Sequence, residues 1–476
     1  MAKQANKNTV DSPCSAYNAM QAHWGLIDDL LGGTLAMRAA GEKWLPKEPK
    51  EENKSWQNRL DRSILYGAYA DTVDDLVGRP FSKPVTIEGE LPERLACLED
   101  NCDGQGTDLT QFARELFYTC LNRGLTHVLV DYPKTESAEG KKMTLADEKR
   151  SGVQPIFVHI KPEQLIGWRY ETGKDGKPQL TQIRWKETHS EPDGEFGTKT
   201  VETVRVYTPD SWQVHTKNDD NEYLLTEEGT HTYPNGIPLI TCYINKDGYM
   251  TAQPPLEGLA WLNLAHWQSY SDQRNILRFA RAALLFVKGL TEAEMEKEVV
   301  LGPSRMFRST NSEADMKFVE HTGKAIDSGR QDLLDLEERM TVLGLEPLLS
   351  RPGNQTATGQ SIDEAKNQSS IQAWIRSLEL AIYNLFDAAG NWTGDTLSED
   401  FKANIYNDFG VSVRATSDIE ALIKIRQARE LDRESFLREV KRRALLSEAT
   451  DIDEVVAKVE AEGPSLGLLR DEDETD

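Results

Sequence analysis

Two hydrophobic rhythms divide this 476-residue chain. Over residues 13–124 the rhythm is helical. In EENKSWQNRLDRSILYGAYADTVDDLVGRPF, Leu60, Ile64, Ala68, Val73 and Leu76 recur at near-helical spacing, and Gly78 and Pro80 stop the run. TDLTQFARELFYTCLNRGLTHVLVDYP predicts a second helix, a stop at Gly124 and then a buried strand. Residues 134–152 are charged and without apolar period, which predicts a surface loop. From about 155 to 245 the rhythm changes to short alternating runs (IFVHI, LTQIRWKE, TVETVRVYT, WQVHT, PLITCYIN). Gly, Pro, Asp and Asn punctuate them in ETGKDGKP, EPDGEFG and YPNG, and an antiparallel β region is expected.

Helical spacing returns at Pro254–Pro255. PPLEGLAWLNLAHWQSYSDQRNILRFARAALLFVKG has Pro only at its start, and a helix of roughly seven turns fits it. About forty residues of weak period follow. Then KAIDSGRQDLLDLEERMTVLG sets Ile326, Leu333, Leu336, Met340 and Leu343 along one broad helical face. The loop SRPGNQTATG comes next, small and polar, and directly after it a long helix. Ser361 and Glu364 match a capping box there. Ile371, Trp374, Ile375, Leu378, Ile382, Leu385, Phe386 and Ala389 continue the helix, and Gly390 is expected to end it. Its first half, DEAKNQSS, is polar on nearly every side and needs no core. The C-terminal part reads as short helices: Ser417 with Glu420 is another capping-box match, and Phe436, Leu437, Val440 and Ala444 mark an amphipathic face. The sum is an α+β fold, mainly helical.

Composition narrows the function. The formal net charge is −24, so the chain does not grip a phosphate backbone over its whole surface. A nucleic-acid role must be local or must benefit from weak binding. The end, LLRDEDETD, reads as a solvated acidic tail. No apolar run reaches membrane-spanning length, and the N-terminal residues show no apolar leader core. Cysteines 14, 97, 102, 120 and 242 are scattered and odd in number, as expected of buried thiols in a reducing compartment. Cys97 and Cys102 lack a second ligand pair, so small core residues are expected there rather than a metal site.

Catalytic patterns are missing. There is no GxxxxGK[ST], no HExxH and no GxSxG. DGQGTD at 103–108 lacks a third glycine and a preceding strand, so it predicts a turn. No two of the eight histidines fall within one helical turn; His266, on the long helix, is expected to be packed. Carboxylate pairs such as Asp74–Asp75 and Asp451–Asp453 are ordinary in a chain with 79 acidic residues. No catalytic residue, metal or cofactor is expected.

The succession of WLPKEPKE (44–51), RLDRSILYGAYADTVDDLVGRPFSKPV (59–85), HVLVDYP (127–133), PPLEGLAWLNLAHWQSYSD (254–272) and TATGQSIDEAKNQSSIQAWIRSLELAI (356–382) resembles tailed-bacteriophage portal proteins. The group is that of siphophage portals labelled as a domain of unknown function. The resemblance implies a phage portal fold assembled as a ring, typically of twelve, at one capsid vertex. It implies a wing at 1–253 with a return at 391–415, a first stem helix at 254–283, a clip at 284–322 and a second stem helix at 323–345. A tunnel loop at 346–358, a tunnel helix at 359–390, crown helices at 416–464 and an acidic tail at 465–476 complete it.

The resemblance also implies partners and roles. The ring conducts double-stranded DNA during packaging and ejection, bound weakly. It docks the terminase large subunit, then a head–tail adaptor, and sits in the major capsid protein shell. The location is the virion, with assembly in the host cytoplasm and no membrane. In the tunnel loop, Asn354, Gln355, Thr356 and Thr358 offer neutral hydrogen-bonding groups and Arg351 one charge. In the second stem helix, Lys324, Asp327, Arg330, Asp335 and Glu338 are the expected channel lining, with more acid than base. In the clip, Lys288, Arg305, Arg308 and Lys317 are the expected steering cations for an acidic partner. Two other classes stay open on the residues alone: a carboxylate-dependent hydrolase with a helical accessory domain, and a helical adaptor that forms no ring.

Overall fold

A computed structural model describes residues 9–132, 154–174, 176–281, 284–288, 313, 315–319, 324–346 and 369–407, with isolated positions beyond 407. The helices are α1 (Ser15–Leu31), α2 (Gly33–Ala40), α3 (Asn53–Leu60), α4 (Ala68–Gly78), α5 (Cys97–Asp100), α6 (Leu109–Arg123), α7 (Glu257–Arg281), α8 (Lys324–Leu345) and α9 (Ser370–Thr393). The strands are β1 (Thr86–Glu88), β2 (Leu125–Asp131), β3 (Ile156–Ile160), β4 (Gly167–Thr172), β5 (Pro178–Asp193), β6 (Gly197–Tyr207) and β7 (Ser211–Lys217). They continue as β8 (Tyr223–Thr230), β9 (Leu239–Tyr243), β10 (Lys246–Gly248), β11 (Thr251–Ala252), β12 (Leu284–Lys288), β13 (Asp315–Val319) and β14 (Lys402–Asn404). The fold is an α+β mix.

The chain divides into two compact units. The first holds Met1–Trp24, Thr72–Pro255 and Leu345–Asp476; the second holds Gly25–Asp71 and Leu256–Gly344. Residues 25–71, placed with the wing by the resemblance, group here with the residues of the two long helices.

In the first unit, β2 is buried along its first six residues, which explains its unbroken apolar texture. It is the centre of an antiparallel sheet of order β3-β2-β9. Gly124 delivers the chain from α6 into β2. Its φ is +86°, and a Cβ there would stand 2.3 Å from the Gln253 carbonyl oxygen, so only glycine fits. Helix α9 packs on the same sheet. Its buried stripe runs Ile371, Ile375, Leu378, Ile382, Leu385 and Phe386, and the Phe386 ring meets Phe157 edge-on at 5.8 Å. The second sheet is five antiparallel strands in order β4-β5-β6-β7-β8, as the alternating texture predicts. Ile183, Trp185 and Tyr207 from it join Leu129, Ile160, Leu239 and Met250 in one cluster. DGQGTD is a turn: Asp103 accepts from the Gln105 and Thr107 amides, and Asp108 caps α6 by accepting from the Gln111 amide at 2.8 Å.

The second unit corrects the predicted 51–78 helix. Helix α3 ends at Leu60 and α4 begins at Ala68. Between them the backbone is held by distant side chains. Arg38 donates to the Ser63 carbonyl at 2.9 Å, and the Leu65 amide donates to Thr34 Oγ1 at 3.1 Å. Asn263, on α7, donates to the Tyr66 carbonyl at 2.8 Å and accepts from the Tyr69 amide at 3.0 Å. These bonds replace helical ones, so Ile64, counted on the apolar stripe, is 52% exposed.

Candidate functional site

Helix α7 buries Leu259, Ala260, Leu264 and Trp267 on one side, together with the polar Asn263, His266 and Gln273. Each polar group has work. Asn263 holds the 66–69 segment. His266 is packed, as expected, with Nε2 3.3 Å from a Glu337 carboxylate oxygen on α8 and its ring beside Tyr66 and Tyr270. Gln273 donates to the Ile326 carbonyl at 2.8 Å, in the first turn of α8. Arg59, buried, donates to both Glu51 carboxylate oxygens and lies 3.2 Å from Asp272 of α7. The Arg59 hydrogen bond is the main cause that holds the Glu51 carboxyl below its ordinary range. Burial pushes the Asp272 carboxyl up, against the pull of Arg59. This triad fixes the stretch carrying WLPKEPKE against α7; sequence reading found the stretch but not its Arg59 anchor.

Helix α8 buries only Leu336 and Met340 among its described side chains, with Ile326, Leu333 and Leu343 half-buried. Asp327, Arg330, Asp335 and Glu338 are all exposed, so four of the expected channel residues share one solvated helix surface. Lys324 opens the helix; its side chain lies outside the described residues. Asp332 and Arg339 are exposed beside them. Acids outnumber bases on this surface.

The expected clip contains a short antiparallel pair, β12 with β13. Lys288, exposed, stands opposite Asp315, and Lys317 opposite Phe286. Arg305 and Arg308 lie outside the described residues, as do Arg351, Asn354, Gln355, Thr356 and Thr358 of the expected tunnel loop. The Ser361–Glu364 capping box lies outside them too. The described part of that helix begins at Ser370. Ser369, in extended backbone at the N-cap, donates its amide to Gln372 Oε1 at 3.2 Å. The expected stop at Gly390 moves: α9 runs on to Thr393, and Gly394 closes it in the left-handed region. Gly390 serves a different need, since a Cβ there would come 2.7 Å from the Asp395 carbonyl oxygen.

Among the described residues no group of three His, Cys, Asp or Glu side chains is placed to hold a metal ion. None of the helices searched is long and apolar enough to cross a membrane.

A family model described as a domain of unknown function, DUF4055, matches residues 255–393, from α7 through α9. That span takes in residues 255–272 and 356–382, from two of the five stretches that carry the portal resemblance. No curated protein matches the chain. Among solved structures, a chain in "Virion of native gene transfer agent (GTA) particle" is similar at 12% identity and TM-score 0.41, over 85% of this chain and 97% of that one. One in "Neck of empty GTA particle computed with C6 symmetry" gives 11% and 0.41, over 78% and 88%. One in "Neck of native GTA particle computed with C12 symmetry" gives 12% and 0.39, over 86% and 98%.

Proposed function

We propose that the chain is a portal subunit of a tailed phage: twelve copies form a ring at one capsid vertex, through which DNA enters during packaging and leaves during ejection. The observation that carries this reading is an order of parts. A long helix (α7), a strand pair (β12–β13), a second long helix (α8) and a helix seated on the first unit's sheet (α9) follow one another. They do so inside the segment matched as DUF4055 and in the succession the portal resemblance requires. The exposed, cation-poor surface of α8 suits a wall past which phosphates slide.

On this reading the chain catalyses nothing. ATP hydrolysis belongs to the terminase large subunit, which docks on the clip before a tail adaptor replaces it, and the ring is seated in the major capsid protein. The subunit is made in the host cytoplasm and ends in the virion. Negative-stain images and native mass spectrometry of the purified protein test the ring. Twelve subunits of 53.6 kDa give about 643 kDa, while monomers or dimers at every concentration refute the reading. ATP hydrolysis that survives stringent purification and is abolished by a point mutation in this chain would refute the non-enzymatic part.

A further inference from the structure

The five-stranded sheet has a part that belongs to no sheet. β5 and β6 pair from Ile183–Tyr207 out to Asp193–Gly197. Their outer neighbours stop early: β4 pairs with β5 only as far as Arg184, and β7 with β6 only from Thr203. Residues 188–202 therefore continue as a two-stranded arm with neither edge paired, about 20 Å long at 3.3 Å per residue.

The arm's base is pinned. Glu187 accepts from the Trp185 indole at 2.6 Å and from Arg205 at 2.7 Å, and Glu202 accepts from Lys217 at 2.8 Å. Beyond the base the residues are exposed on nearly every side, so the arm adds almost nothing to the unit's core. A free two-stranded ribbon is marginal in water. This one is braced by Glu191, which takes both His189 and Lys199. At its tip, in the turn Gly194-Glu195-Phe196, the Phe196 ring is 91% exposed, the highest value among the described large apolar side chains. A polar ribbon that ends in a bare phenyl ring beside a carboxylate is placed to reach something.

The same unit carries a cleft with an apolar wall for such a ring. It has a volume of about 750 Å³ and opens beside α6 and the end of α4. Val77, Phe81 and Tyr118 give it an apolar wall, and Arg114 and Lys161 give it cations among the carboxylates of Asp74, Asp108 and Glu115. We infer that the arm of one copy seats Phe196 against Val77, Phe81 and Tyr118 of a neighbouring copy, with Glu195 meeting Arg114 or Lys161 there. Arm and cleft are different surfaces, so the contact is head-to-tail, the kind that repeats around a closed ring. This inference rests on the ring reading and supplies one interface for it.

Cysteine cross-linking of the full-length protein tests the contact. Phe196→Cys combined with Tyr118→Cys, oxidised mildly, should give a ladder of covalent oligomers on a denaturing gel, and neither single variant should. Phe196→Asp, at a position too exposed to disturb folding, should raise the concentration at half-assembly at least about tenfold, from the lost burial of one phenyl ring. Wild-type-like rings without a ladder overturn the arm-to-cleft contact and leave the ring standing. A covalent dimer from Phe196→Cys alone overturns it in favour of arm-to-arm contact, and a ladder from that variant alone in favour of a surface bearing a native cysteine. Monomers only, in the parent protein, overturn both the ring and this interface.

Discussion

Helices α8 and α9 are close in length, 22 and 24 residues, and both carry apolar side chains at helical spacing. Their fates differ. Helix α9 buries ten residues, from Ile371 to Gly390, while α8 buries two among its described side chains. The first is core, held by the sheet beneath it. The second is tied to its unit through Leu336 and Met340 and through polar bonds at its first turn and at Glu337. Periodicity alone marks a helix as amphipathic; the number of residues between the apolar positions that lack charge decides how much of it is covered. Helix α9 has one basic and two acidic residues between Ser370 and Thr393, whereas α8 carries exposed acids in nearly every turn.

That contrast can be broken by substitution and by acid. Phe386→Ala should cost about 4 kcal/mol, the usual loss for emptying a fully packed phenyl site, read as a shift in the urea midpoint. Next comes pH. His127 and His159, in the sheet under α9, donate to or accept from Thr241 and Thr126 hydroxyls at 3.0 and 2.8 Å. Burial depresses them to about 3 and about 4. Both are neutral in the folded unit, while the unfolded chain takes up protons below about 6.5. Stability is therefore full above that pH and is lost as pH falls, by roughly 3 kcal/mol at pH 4 for His159 alone. Urea midpoints that stay level between pH 7 and 4.5 would contradict this placement.

Met340→Ala in α8 should cost less, about 2 kcal/mol, at the low end for buried methionine because so little surrounds it. A loss equal to that of Phe386→Ala would erase the distinction between the two helices. The smallest effect is expected from Asp335→Asn with Glu338→Gln: under about 0.5 kcal/mol, as for exposed charges generally. Reversing both to Lys should leave the melting temperature near that of the parent. If the portal proposal holds, it should also make purified rings retain DNA at low salt, with retention lost steeply as salt rises; unchanged retention would count against α8 as the proposed channel wall.

Much of this was readable from residue order. The β texture of 155–245, the Gly124 turn, the Asp103 turn and the packed state of His266 follow from local chemistry; Asp327, Arg330, Asp335 and Glu338 are singled out by the family resemblance alone. The misreadings have separate causes. The helix drawn through 61–67 fails because Arg38, Thr34 and Asn263 satisfy its backbone from far away in the chain. The stop at Gly390 fails because glycine there answers the approach of Asp395, not a helix end. The strand order β3-β2-β9 and the pairing of β1 with β14 depend on long-range partners that no window contains. The arm was hidden for another reason: EPDGEFG reads as a turn, and polar strands on both sides of it carry no alternation to reveal their length.

The β1–β14 pair has a consequence for synthesis. Thr86 pairs with Asn404, 318 residues later. A ribosome adding roughly 5–20 residues per second needs roughly 15–60 s to span that gap. During this interval β2 and its sheet wait without α9, whose buried stripe covers them, and contacts of such long range form slowly even when both partners are free. A nascent chain thus cannot present a finished first unit to its neighbours until nearly all of it has been made. A chain released short of β14 therefore lacks part of that unit.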